Sequence, residues 1–227
     1  MKRSRINELI EEAKEILDRH CFLLPPFAYI KPEDWKNMNH EYDEIRRNGL
    51  GWDVTDFGSG EFEKTGLFLF TLRNGNPKDG DSGKLYAEKI MIVKEGQVTP
   101  FHFHWFKQED IINRGGGNLL ITVYNATEDD SFSDEDVEVQ IDGRRFKVPA
   151  GTEIRLLPGE SMTMTRRLYH TFRGEEGCGT VLVGEVSRCN DDVNDNRFYT
   201  PCGRFSAIEE DEPARYLLCN EYPEYEN

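Results

Sequence analysis

From residue 84 onward the chain is broken every few residues by glycine, proline, asparagine or aspartate, with β-branched and aromatic runs between the breaks. That spacing leaves room for short strands and none for long helices. Many short strands joined by tight turns fold into a sandwich or a barrel. The runs from Lys84 to Lys94, Gly117 to Tyr124, Val137 to Ile141, Arg145 to Val148, Thr152 to Leu157, Ser161 to Arg166 and Gly179 to Ser187 read as strands, and Tyr169 to Phe172 opens another. Between two of them stands Asp142-Gly143. It is a strong hairpin signal, because a two-residue turn needs positive φ at its centre.

The first part of the chain reads differently. Residues 4 to 20 carry Ile6, Leu9, Ile10, Ala13, Ile16 and Leu17 at the helical period, with Ser4 as the expected N-cap and Leu24-Pro25-Pro26 as the stop. A second helix is expected over 32 to 48, and a plain connection over Gly49 to Gly60. Gly66 to Arg73 reads as a strand, ended by the turn cluster Asn74-Gly75-Asn76-Pro77. The acidic run 127 to 136 is expected to be a solvated insertion, and a short helix is expected around Pro213 to Leu218. The whole reads as a mainly β chain with one domain over 1–227. Its first 50 residues would be a helical extension packing on a barrel at 84–188.

Lys and Arg number 28 against 43 Asp and Glu, a formal net charge of −15. Such a surface argues against a nucleic-acid groove or an anionic membrane as partner. No apolar run is long enough to span a bilayer. The basic start is followed by Glu8, Glu11 and Glu12 and does not read as a signal peptide. The five cysteines have no C-x-x-C spacing, so neither a disulfide framework nor a structural zinc site is expected, and a cytoplasmic protein is.

His102 and His104 stand two residues apart, and Glu109 follows five residues later. On a strand, side chains at i and i+2 share a face, and Glu109 can return to that face after a turn. Three such N/O ligands suit a divalent metal such as Zn, Mn, Fe or Ni. A fourth is expected from His170, in the strand-rich half. Lys89 shares a strand face with Leu85, Ala87, Met91 and Val93. It either snorkels outward or points inward at an anionic or hydroxylated ligand.

Gly96, His102, His104, Glu109 and Gly116, separated by five, one, four and six residues, resemble the first motif of the cupin superfamily at every position. Gly143, Pro149 and Gly151 resemble the start of the second motif, which then departs: Ile154 stands where its histidine would, and His170 comes after an additional Pro158-Gly159 turn. Longer strings are similar to the bacterial D-lyxose isomerase family. They are Trp52-Asp-Val-Thr-Asp-Phe-Gly58, Tyr86-Ala-Glu-Lys-Ile90, the run His104 to Gly117, Gly184-Glu-Val-Ser followed by Asn190-Asp-Asp192, and the Leu218 to Tyr222 tail. The resemblance implies a cupin jelly roll and a homodimer. It implies a manganese-type metal on His102, His104, Glu109 and His170, with Zn2+, Fe2+, Co2+ or Ni2+ as other candidates. It also implies interconversion of D-lyxose with D-xylulose, and of D-mannose with D-fructose.

Within that reading a base must face the cavity. Glu185 ends the otherwise apolar face Val181, Val183, and either points into the barrel or pairs with Arg188 at its rim. Lys107, inside the motif, either donates to a sugar oxygen or is a surface lysine on the turn. Lys89, Asp110, Arg197 and Phe198 are further candidates for sugar contact. A cupin dioxygenase and a non-catalytic sugar-binding cupin are the rival readings, since superfamily motifs host many chemistries.

Overall fold

The computed structural model describes residues 1–192 and 194–225. Two antiparallel sheets face each other. The larger runs β1 (Gly51–Thr55), β2 (Leu67–Asn74), β3 (Tyr86–Val93), β12 (Val181–Arg188), β5 (Glu109–Gly116), β10 (Ser161–Met164), β7 (Val137–Ile141) and β8 (Arg144–Val148). The smaller runs β13 (Asn196–Phe198), β4 (His102–His104), β11 (Leu168–Gly174), β6 (Leu119–Asn125) and β9 (Glu153–Leu156). Two facing sheets are the sandwich that the turn-and-strand pattern predicts, and the jelly roll is what the family resemblance implies.

Alternation along the strands builds two cores from one sheet. Leu69, Met91, Val93, Val181 and Val183 point inward and pack with Ile121, Val123 and Phe172 of the smaller sheet. Their neighbours Phe68, Phe70, Ile90, Ile92 and Leu182 point outward and form a second cluster with Trp52. Helix α1 (Arg3–Arg19) covers that outer face with Ile6, Leu9, Ile10, Ala13 and Leu17. A strand buried on both faces reads as a continuous apolar run, as β2 does. The Trp52 indole N–H donates to the Ala28 carbonyl at 2.8 Å, so this large ring is buried with its polar atom satisfied. Among the described residues no helix is long and apolar enough to cross a membrane.

Five local expectations give way. Ser4 is not the N-cap: helix α1 begins at Arg3, and the Ser4 N–H and hydroxyl both bond the Asp211 carboxylate. The helix over 32 to 48 is broken into α2 (Pro32–Trp35), a 3-10 turn at His40–Tyr42 and α3 (Asp43–Arg47). Asn39 causes the break, its side chain accepting from the Glu41 N–H and starting a new turn. Gly49 to Gly60 is not a plain connection, since β1 lies within it and is buried along its length. The acidic insertion is anchored: Phe132 stacks between Tyr124 and Tyr199, with centroids 4.3 and 3.8 Å away. No helix forms at Pro213 to Leu218. There the Pro213 carbonyl and the Arg215 N–H are bound by the Asn7 side chain, which supplies partners a helix would otherwise provide.

Candidate active site

The site lies between the two sheets, with residues from both among its walls. Strand β4 carries His102 and His104 on one face, and the Phe103 between them packs on the other against Tyr169. Register then adds the rest of the small-sheet wall. His170 and Phe198 are both Cα partners of His102, and Asn196 is the partner of His104. The wall opposite comes from the large sheet, where Glu185 is the register partner of both Lys89 and Ile111, and Glu109 lies two residues before Ile111 on the same face. Lys89, Glu109 and Glu185 therefore continue the inward face of Met91, Ile111 and Val183 and meet the histidines across the gap.

Ligand nitrogens of His102, His104 and His170 lie within 4.8 Å of one another. Glu109 Oε1 stands 3.4 Å from His104 Nε2 and 3.3 Å from His170 Nε2. The Nδ1 atoms of His102 and His170 donate to the carbonyls of Pro100 and Leu168, at 2.9 and 3.0 Å. A carbonyl only accepts, so the proton sits on Nδ1 and the Nε2 lone pair is free. The Nε2 atoms of His104 and His170 are buried without a hydrogen-bond partner. Burial, with repulsion from His170 and His104, pushes His102 well below the ordinary histidine value and keeps the ring neutral. Buried imidazole nitrogens without partners, beside a carboxylate, are what a divalent metal satisfies, so the residues fit such an ion.

Beside this cluster is a second, ionic one. Lys107 Nζ lies 2.5 Å from Glu109 Oε2 and donates to Glu185 Oε1 at 3.1 Å. Lys89 Nζ lies 3.6 Å from the same Glu185 oxygen, which also accepts from the Ser187 hydroxyl at 3.0 Å. Burial works against the Lys107 ammonium, but Glu109 and Glu185 outweigh it and hold its pKa above the usual lysine value. Burial also opposes ionisation of Glu109, which Lys107 and His104 nevertheless keep well below the carboxylate range. The turn carrying Lys107 is itself pinned: the Asp195 carboxylate accepts from the backbone N–H groups of Phe106 and Lys107 at 2.7 and 2.8 Å.

Both clusters open on one cavity of about 50 Å³, with Phe57 and Phe198 among its walls. Hydroxyl-binding groups and apolar surface around a buried carboxylate suit a small polyhydroxylated substrate.

A sequence model of the D-lyxose isomerase family matches residues 1–222. The chain belongs to that family. A D-lyxose/D-mannose isomerase from Serratia proteamaculans is 51% identical over 223 residues, covering 98% of each chain. One from Escherichia coli O157:H7 is 50% identical over 226 residues, covering 99% of this chain and 100% of its own. In fold the chain is similar to the L-ribose isomerase of Geodermatophilus obscurus, with TM-score 0.64 at 17% identity over 92% of this chain and 98% of that one. The L-ribose isomerase of Cellulomonas parahominis with L-ribose gives 0.61 at 18% identity and the same coverage. As a member of the D-lyxose isomerase family the chain is a sugar isomerase, and its reaction class is aldose–ketose interconversion.

Of the candidate residues, His102, His104, Glu109, Lys107, Lys89, Glu185 and Phe198 line the cavity, and His170 joins them through its ring nitrogen. Two do not. Asp110 follows Glu109 on β5 and so faces the opposite side of the sheet, where it accepts from the Thr163 hydroxyl at 2.5 Å. Arg197 lies between Asn196 and Phe198 and so turns away from the cavity toward Asp130, 3.7 Å off. Sequence reasoning missed Asp192, Asn196 and Arg204, all of which border the cavity. Arg204 Nη2 joins Asp53 of β1 at 2.5 Å and Asp192 at 3.1 Å. Asp192 was within reach, since it ends one of the strings shared with the family. Arg204 comes from an irregular tail with no periodicity to place it.

Proposed function

We propose that the chain is a metal-dependent isomerase that interconverts D-lyxose with D-xylulose and D-mannose with D-fructose, with manganese as its ion. The observation that carries this reading is the meeting of three imidazoles, two of them buried, and Glu109 with a second carboxylate, Glu185, flanked by two lysines in a single cavity. The substrates follow from the D-lyxose/D-mannose isomerases that match this chain at about half of all positions.

In this reading His102, His104, Glu109 and His170 hold the ion. When bound, a divalent metal supplies Lewis-acid polarisation of the sugar's carbonyl and adjacent hydroxyl oxygen. Glu185 is the base. It takes the proton from C2 of the open-chain aldose; the C2–H electron pair becomes the C1–C2 double bond and the C1–O1 π pair moves onto O1, giving an enediolate. The same carboxyl then returns the proton to C1, while the O2 proton passes to O1, so no oxidant or reductant is consumed. Lys107 and Lys89 hold the Glu185 carboxylate in place. The remaining N–H of Lys89 can stabilise negative charge developing on the sugar oxygens. Phe198 and Phe57 exclude water from the reacting carbons.

The test is a screen of pentoses and hexoses for ketose formation by the purified, metal-loaded protein without oxygen, using substrates deuterated at C2. Ketose from D-lyxose and D-mannose with deuterium lost to solvent is the expected result. Full retention of deuterium in the product would replace the enediol route by a hydride shift, and no ketose from any aldose would overturn the reading.

A further inference from the structure

The Asn74-Gly75 pair ends β2 and reads in the sequence as an ordinary turn. In the fold it does something more specific. Asn74 is 5% exposed, and its side-chain amide grips the backbone of Asn190 at both ends. Its Oδ1 accepts from the Asn190 N–H at 2.9 Å, and its Nδ2 donates to the Asn190 carbonyl at 3.1 Å. The same Nδ2 donates to the Asn48 carbonyl at 3.1 Å, and the Asn48 side chain returns a bond to the Asn74 carbonyl at 2.9 Å. Gly75 permits the approach. A Cβ there would lie 1.7 Å from the Lys84 carbonyl oxygen and 2.5 Å from Cys189 Sγ, so any side chain would displace the Lys84 backbone and the Cys189 side chain.

What this clamp holds is an acceptor for the site lysines. Asn190 Oδ1 accepts from Lys89 Nζ at 2.9 Å and from Lys107 Nζ at 3.2 Å. These are the two ammonium groups that crowd Glu185 Oε1, at 3.6 and 3.1 Å. An ammonium has three N–H donors. Lys107 donates to Glu185 and Asn190, and its charge also pairs with Glu109, 2.5 Å away. Without the Asn190 oxygen, one donor on each lysine loses its acceptor and can turn to Glu185, 3.6 and 3.1 Å away. A carboxylate bound harder by two ammonium groups is a poorer base.

We propose that Asn190 sets the division of the two lysines between itself and Glu185, and that Asn74 is a positioning residue acting through it. This rests on Glu185 being the base, as in the function proposed above. Substrate is not touched by Asn74, so its removal acts on kcat more than on KM.

The test compares Asn74→Ala, Asn190→Ala and Asn48→Ala in metal-loaded protein with D-lyxose at 25 °C. Asn48→Ala is the control, because it removes a hydrogen bond from the same buried network but leaves both bonds to Asn190. Asn74→Ala and Asn190→Ala are expected to lower kcat tenfold or more, with KM within threefold and metal content unchanged, while Asn48→Ala keeps the wild-type kcat. Should Asn74→Ala not fold, Asn190→Ala carries the same expectation without disturbing the clamp. Wild-type kcat in Asn190→Ala would overturn the proposal. So would an equal loss in Asn48→Ala, which would mark the network as structural only. A crystal structure of Asn74→Ala is a readout independent of turnover: Asn190 Oδ1 still bonded to both lysines would refute the clamp. A wild-type protein that converts no sugar would instead remove the isomerase reading itself.

Discussion

Changing Glu185 to glutamine removes one negative charge and almost no volume. The side chain is 6% exposed and faces two ammonium groups, so the change has two separable effects. Removing one member of a buried ion pair costs about 3–5 kcal/mol. Here the cost falls at the lower end, about 3 kcal/mol. The glutamine oxygen still accepts a hydrogen bond, Lys107 keeps Glu109, and Lys89 keeps Asn190. For a domain of this size that lowers Tm by roughly 6–12 °C, which leaves the variant folded at 25 °C. The catalytic effect is separate and larger. Loss of a positioned general base removes about 10²–10⁴ in rate, equivalent to about 2.7–5.5 kcal/mol on the barrier. The assay is steady-state ketose formation at 25 °C beside elemental analysis and a melting curve. Retained metal, a modest fall in Tm and a loss of at least a hundredfold in kcat are expected. A kcat within tenfold of wild type would refute Glu185 as the base.

Other expectations follow from the same contacts. Asp110→Asn should leave kcat/KM within about twofold in the same assay, since small surface changes away from a site are usually mild and this carboxylate faces away from the cavity. Phe132→Ala should raise KM, because the ring braces Tyr199 next to Phe198 in the cavity wall. Its half-buried ring should cost about 2 kcal/mol, less than a fully buried one, read as a fall in Tm of roughly 4–8 °C. Acid should destabilise the fold. Burial raises the pKa values of Asp192, Glu12 and Glu63, but Arg204 outweighs it at Asp192, and Arg5 and Lys94 outweigh it at the glutamates, so all three are held below their ordinary values. A depressed folded-state pKa gives stability that is complete above the unfolded value and lost as pH falls through the folded one. Melting temperature should therefore be flat near neutrality and drop progressively below about pH 4–5. A Tm unchanged at pH 3 would contradict this.

Much of the fold is legible because two periodicities are unambiguous. The apolar spacing in α1 and the alternation in β3 and β12 each name a buried face, and the inward faces of β3 and β12 also carry Lys89 and Glu185. The pairing of His102 with His104 is legible for the same reason: side chains at i and i+2 on a strand share a face. What escapes has no local pattern. Strand β1 looks like a loop because its burial depends on Trp52 meeting α1 and the C-terminal tail, a contact distant in sequence. Asp110 and Arg197 stand next to Glu109 and Phe198 in sequence, and one step along a strand reverses the face. Arg204 reaches the cavity by pairing with Asp53, 151 residues away, and nothing short-range announces it.

The account rests on His102, His104, Glu109 and His170 holding an ion that isomerisation requires. The most direct measurement is elemental analysis of wild type and His104→Ala, each assayed for conversion of D-lyxose before and after chelation. The account predicts one divalent metal per wild-type chain, activity lost on chelation and restored by Mn2+, and neither metal nor activity in the variant. Normal conversion of D-lyxose by metal-free protein would contradict it.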